Sequence, residues 1–168
     1  VNLDIFSFRF FFKGLSLMVM NRMANVLIVE DNRADQRLLC DAIGNAQPQI
    51  RLHTIENGSD AIPFLQQTGK YSDSPRPDLI ILDLNLPGKD GRDILKEIKS
   101  DPTLKCIPVV VLSNSDAPKD IRSVYTNAGN TYFTKPPELQ DFLDVIGEIQ
   151  KYWLTLAELP DRCAATPN

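Results

Sequence analysis

Four short apolar runs cross this chain, and each ends in a polar or charged side chain. Val26-Leu27-Ile28-Val29 stops at Glu30-Asp31. Leu79-Ile80-Ile81-Leu82 stops at Asp83, just ahead of Leu84-Asn85-Leu86-Pro87-Gly88. Val109-Val110-Val111-Leu112 stops at Ser113, and Tyr132-Phe133-Thr134 stops at Lys135. Parallel strands buried on both faces read as continuous aliphatic runs of this kind. A further strand is predicted over Ile50 to Glu56.

Helix-period patterns fill the intervals. Leu38, Leu39, Ala42, Ile43 and Ala46 recur at helical spacing between Asn32 and Ala46. Asn57-Gly58-Ser59 supplies a turn and a cap before Ala61, Ile62 and Leu65, where Pro63 is tolerable only near the first turn. Lys70 to Pro77 reads as a loop. Asp93 to Ser100 predicts a helix with Ile94, Leu95 and Ile98 inward. Ile121, Val124, Tyr125 and Ala128 form the stripe of the next helix, with Gly129 as its stop. The last helix, Glu138 to about Trp153, has the stripe Leu139, Phe142, Leu143, Ile146, Ile149 and Trp153. Val145, Tyr152, Leu154 and Leu156 fall outside that stripe, more apolar surface than one core contact needs. The alternation predicts an α/β domain: a doubly wound, five-stranded parallel sheet with helices on both faces, joined by right-handed crossovers.

In open parallel sheets, sites form outside the carboxyl ends of the strands. The four endings therefore gather three carboxylates (Glu30, Asp31, Asp83), the hydroxyl of Ser113 and the ammonium of Lys135 at one edge. Crowded carboxylates repel, and a hard divalent cation relieves this; Mg²⁺ takes one or two carboxylates, waters and a phosphate oxygen. Asp83 is the best nucleophile, since carboxylates form acyl phosphates in enzymes. Lys135 and the metal would neutralise charge on a transferred phosphoryl group. Taken singly, each residue has an ordinary structural role. Glu30-Asp31 could cap a helix, Asp83 could open a turn, Ser113 could be an N-cap and Lys135 a solvated strand end. The case rests on all four endings agreeing in one fold.

The chain has 168 residues and a formal charge of −4, from 18 basic and 22 acidic side chains, so bulk electrostatic binding to DNA is not expected. Cys40, Cys106 and Cys163 are sparse and lack CxxC spacing; Cys40 and Cys106 read as small buried hydrophobes in a reducing, cytoplasmic setting. Residues 1–22 read as an extension outside the domain: Ile5 to Met20 is apolar but carries Arg9 and Lys13, too short and too charged for a membrane span. The domain is expected over 23–156, followed by a C-terminal tail over 157–168 that reads as disordered after Pro160. The lone histidine, His53, lies in a strand away from the site and reads as structural.

Glu30-Asp31, Asp83, Ser113 and Lys135-Pro136, in this order at four strand ends, resemble a response-regulator receiver domain, from about Asn25 to Trp153. The strings Val29-Glu30-Asp31-Asn32-Arg33-Ala34-Asp35, Leu82-Asp83-Leu84-Asn85-Leu86-Pro87 and Trp153 to Pro160 are similar to the stand-alone regulators paired with cyanobacterial phytochrome kinases. The resemblance implies a flavodoxin-like, receiver-type fold acting in a two-component phosphorelay. It implies that Asp83 is the phosphoacceptor for a partner histidine kinase of the phytochrome type. Asp31, Asp83 and the main-chain carbonyl of Asn85 would hold Mg²⁺, with Glu30 assisting through water. Ser113 would be the switch hydroxyl, Tyr132 the switch aromatic, turning from an exposed to an inward rotamer, and Lys135 the partner of the phosphoryl oxygens. The Lys135-Pro136 bond would be cis. A homodimer through the fourth and fifth helices, the last strand and the tail is implied too. Such a domain signals by changed protein contacts and is not an enzyme beyond self-phosphorylation and self-dephosphorylation. Glu30 is one methylene longer than the family's usual aspartate, and Asn114 is bulkier than the usual small residue. An aspartyl-nucleophile phosphatase is the alternative; it needs an acid two residues beyond the nucleophile, where this chain has Asn85. A flavodoxin-like cofactor binder would need a phosphate loop where this chain has Glu30-Asp31-Asn32.

Overall fold

The structure is a computed structural model that describes residues 23–46 and 49–160. The extension expected over 1–22 and the end of the tail, 161–168, lie outside the described residues. Five strands form one sheet: β1 (Ala24–Val29), β2 (Ile50–Ile55), β3 (Leu79–Leu82), β4 (Val109–Ser113) and β5 (Thr131–Thr134). Their order is β2-β1-β3-β4-β5, and every pairing is parallel. The helices are α1 (Arg33–Ala46), α2 (Ala61–Leu65), α3 (Gly91–Ser100), α4 (Pro118–Thr126) and α5 (Leu139–Lys151).

Because successive strand residues point to opposite faces, the apolar runs serve two cores at once. Leu27, Val29, Ile80, Leu82, Val109 and Val111 pack with α2, α3 and Val124 of α4. Val26, Ile28, Leu79, Ile81, Val110 and Leu112 pack with Leu39 and Ile43 of α1 and Phe142, Ile146 and Ile149 of α5. Each fully buried leucine or isoleucine contributes roughly 1.5–3 kcal/mol by leaving water. This two-sided burial pins the register, since a one-residue slip would exchange the faces.

Several boundaries and faces differ from expectation. Helix α3 starts at Gly91 rather than Asp93, because Asp90 caps it by accepting the Arg92 amide at 2.7 Å. Pro63 is the third residue of the short α2, close to its first turn as required. In α4, Val124 is buried but Tyr125 is exposed, so Tyr125 does not belong to the core stripe. The left-handed residue that ends α4 is Ala128 (φ 58°), not Gly129. The Gly129 amide bonds the Val124 carbonyl at 2.8 Å and the Ala128 amide that of Tyr125 at 3.1 Å, a Schellman closure. Beyond α5, residues Tyr152–Leu156 form a π-helical turn closed by the Ala157 amide on the Tyr152 carbonyl at 2.8 Å. Leu154 is buried in the same cluster as Ile149 although it lies off the 3.6-residue stripe. Leu139, counted in that stripe, is exposed. Cys40 is half-buried and Cys106 exposed, so the buried reading fails for Cys106.

Candidate phosphoryl and metal site

Strand register brings the endings together. Val29 pairs with Leu82, Leu82 with Val111, and Ser113 with Thr134, so the residue that follows each strand emerges at the same edge. The Glu30 amide extends the ladder to the Ile55 carbonyl at 2.9 Å, the Asp83 amide to Val29 at 3.0 Å, and the Lys135 amide to Ser113 at 2.8 Å. Behind Asp83 the backbone makes a close approach to α3. The Gly91 amide bonds the Leu84 carbonyl at 2.8 Å, and a Cβ at Gly91 would lie 2.1 Å from the Asp83 carbonyl oxygen. Only glycine fits there.

Lys135 stands at the centre of the site. Its ammonium donates to Glu30 Oε2 at 2.6 Å, Asp83 Oδ2 at 2.7 Å and Asp35 Oδ2 at 3.0 Å. Glu30, Asp83 and Lys135 are buried, whereas the Asp35 side chain is 20% exposed. The remaining Asp83 oxygen, Oδ1, accepts the Asn85 amide at 3.1 Å, and Glu30 Oε1 accepts the Asn32 amide at 3.1 Å. Burial pushes the Glu30 carboxyl up to about 7, and the hydrogen bond and charge of Lys135 offset only part of that rise. Burial acts against the Lys135 ammonium, but its hydrogen bonds to Asp83 and Glu30 and their charges outweigh it and raise its pKa.

Glu30, Asp31 and Asp83 each offer one carboxylate oxygen, and these oxygens lie within 4.8 Å of one another. Asp31 is exposed and opens this cluster to solvent. An all-oxygen donor set that joins two buried carboxylates to an exposed one fits a hard divalent cation.

On the β4 side, the Ser113 Oγ is fully buried and has no hydrogen-bond partner among the described residues. A buried hydroxyl of this kind calls for an explanation, and an incoming phosphoryl oxygen would satisfy it. Tyr132 is not in the exposed position expected of it. Its ring is half-buried against the core and its hydroxyl donates to the Ser115 carbonyl at 2.5 Å, which gives the inward ring a polar anchor. No peptide bond among the described residues is cis, so the expectation for Lys135-Pro136 is corrected to trans, the isomer favoured before proline by about 0.5–1 kcal/mol. Asn85 is exposed, and His53 pairs with Asn25 Oδ1 at 3.1 Å well away from this edge.

Two features escaped the sequence reading. Asp35, in the first turn of α1, joins the site as a fourth carboxylate. Arg92 of α3 bonds Asp120 of α4 (Nε to Oδ1, 3.1 Å; 2.8 Å between the second pair), and Ser115 Oγ donates to Asp120 Oδ2 at 2.6 Å. This network ties the loop after Ser113 to two helices. Its only trace in sequence is charge, which surface helices carry anyway.

This constellation on a 2-1-3-4-5 parallel sheet defines a class. The model of the response regulator receiver domain matches residues 26–147, and the chain belongs to that family. Among its relatives is the response regulator Rcp1 of Synechocystis sp. (strain ATCC 27184 / PCC 6803 / Kazusa), 44% identical over 135 residues that cover 80% of this chain and 92% of Rcp1. The crystal structure of the Mn²⁺-bound form of Rcp1 superposes with a TM-score of 0.80 at 43% identity, covering 82% of this chain and 99% of that one. The phosphorylated cyanobacterial phytochrome response regulator RcpA gives the same TM-score and coverage at 46% identity. The chain is thus a response regulator that resembles those of cyanobacterial phytochromes, and the phosphatase alternative is not favoured. No described helix is long and apolar enough to cross a membrane.

Proposed function

We propose that Asp83 is the phosphoacceptor of this receiver, loaded by a histidine kinase of the phytochrome type. The observation that carries this is the buried Asp83 carboxylate, held from two sides by the Lys135 ammonium and the Asn85 amide beside two more carboxylates. An Asp83 oxygen forms a bond to phosphorus as the phosphorus–nitrogen bond of the donor phosphohistidine breaks. The electron pair stays on the imidazole nitrogen. Lys135 neutralises charge on the transferred oxygens, and Ser113 donates its free hydroxyl to one of them. Glu30, Asp31, Asp83 and the Asn85 carbonyl would hold Mg²⁺, with Glu30 acting through water. When bound, the metal supplies charge neutralisation at the phosphoryl oxygens.

Modification adds about −1.5 to −2 charge and three acceptor oxygens at one point. The Ser113–Ser115 segment moves toward them, and Tyr132, whose hydroxyl holds the Ser115 carbonyl, follows. The face of α4, β5 and α5 changes shape, and the output is protein association in the cytoplasm rather than DNA binding. A homodimer through this face accords with the exposed Tyr125, Leu139, Tyr152 and Leu156. The domain spans 23–156, and its own chemistry is limited to gaining and losing this phosphoryl group. Transfer from a labelled phytochrome-type kinase tests the site. Wild-type protein should label and Asp83→Asn should not; equal labelling of both rejects it.

A further inference from the structure

We propose that Asp35 is a positioning residue that holds the Lys135 ammonium while Asp83 is unmodified and competes with the phosphoryl group for it afterwards. The inference rests on Asp83 being the phosphoacceptor. An ammonium has three donors, and Lys135 spends all three, on Glu30, Asp83 and Asp35. To bond a phosphoryl oxygen it must release one acceptor. The bond to Asp35 is the longest of the three, and Asp35 is the most exposed of the three carboxylates, 20% against 3% and 4% for the other side chains. Water can take over the Asp35 carboxylate at little cost, whereas releasing Glu30, or Asp83 Oδ2 when the phosphoryl group is carried on Oδ1, would strand a buried acceptor. Asp35 is therefore the partner exchanged. Its charge lowers the stability of the phosphorylated state by favouring the unmodified arrangement.

Beryllofluoride, which mimics the phosphoryl group on a carboxylate, tests this in the full chain with Mg²⁺, with binding followed by fluorine NMR. Asp35→Asn keeps the shape of the side chain and removes its charge. It should bind beryllofluoride about fivefold more tightly than wild type, the lower end of ordinary couplings between sites. The gain should vanish in a Lys135→Met background, which removes the shared ammonium. Unchanged or weaker binding by Asp35→Asn overturns the proposal. So does a gain that survives in Lys135→Met, because Asp35 would then act by plain charge repulsion. Circular dichroism of each variant confirms that it folds; if Asp35→Asn does not, Asp35→Ser carries the same comparison. Failure of the wild-type protein itself to bind would count against Asp83 as phosphoacceptor, separately from the role of Asp35.

Discussion

Replacing Glu30 with glutamine should change how stability depends on pH in a defined window. In the folded protein Glu30 is 2% exposed and its pKa is pushed up from 4.5 to about 7, chiefly by burial. Between those values the folded state keeps a proton that the unfolded chain has lost. A raised folded-state pKa contributes stability that is fully present below 4.5 and lost as pH rises through about 7. The gap corresponds to about 3 kcal/mol at 1.36 kcal/mol per pH unit. Glu30→Gln cannot titrate, so it should lack this loss, while the other carboxylates contribute equally to both proteins and cancel. Lys135 does not enter the window, because its raised pKa holds it protonated throughout. The assay is urea unfolding of both proteins at pH 4.5 and pH 8 with a chelator present. The difference in unfolding free energy should move by about 2–3 kcal/mol in favour of Glu30→Gln at the higher pH. Mg²⁺ should flatten the wild-type slope, since a bound cation favours the ionised carboxylate. Parallel profiles for the two proteins would refute the reasoning.

Other consequences can be checked directly. Gly91→Ala puts a methyl group against the Asp83 carbonyl, so it should cost at least about 2 kcal/mol in denaturant unfolding and slow phosphoryl transfer to Asp83. Ala128→Gly relieves a left-handed alanine at the end of α4 and should stabilise the protein by about 0.5–1 kcal/mol, read as a higher melting temperature. Tyr132→Ala should accept phosphate as readily as wild type but lose any modification-dependent change in oligomeric state, measured by sizing chromatography with and without phosphorylation.

The buried half of the fold was legible because β1, β3 and β4 have both faces covered, and Val26 to Val29, Leu79 to Leu82 and Val109 to Leu112 are unbroken aliphatic runs within them. Their endings announced the site because β1 delivers Glu30 and Asp31, β3 Asp83 and β4 Ser113 in register. Asp35 was not legible. An aspartate in the first turn of a helix is ordinary, and its tie to Lys135 spans 100 residues of sequence. Leu154 was misplaced because a π-turn changes the period by which inward positions are counted. Tyr125 was assigned to the core on spacing alone, yet it is exposed with its hydroxyl on the Tyr132 amide at 3.3 Å.

That last contact bears on how copies of this molecule can meet. Strand β5 is the outer edge of the sheet, and a bare edge invites another chain to continue the ladder. The phenol of Tyr125 occupies one of the donors such a continuation would need. Copies meeting over this side would thereby be steered toward side-chain contact between surfaces, which can be loosened and remade, and away from a ten-stranded sheet that would lock two molecules together.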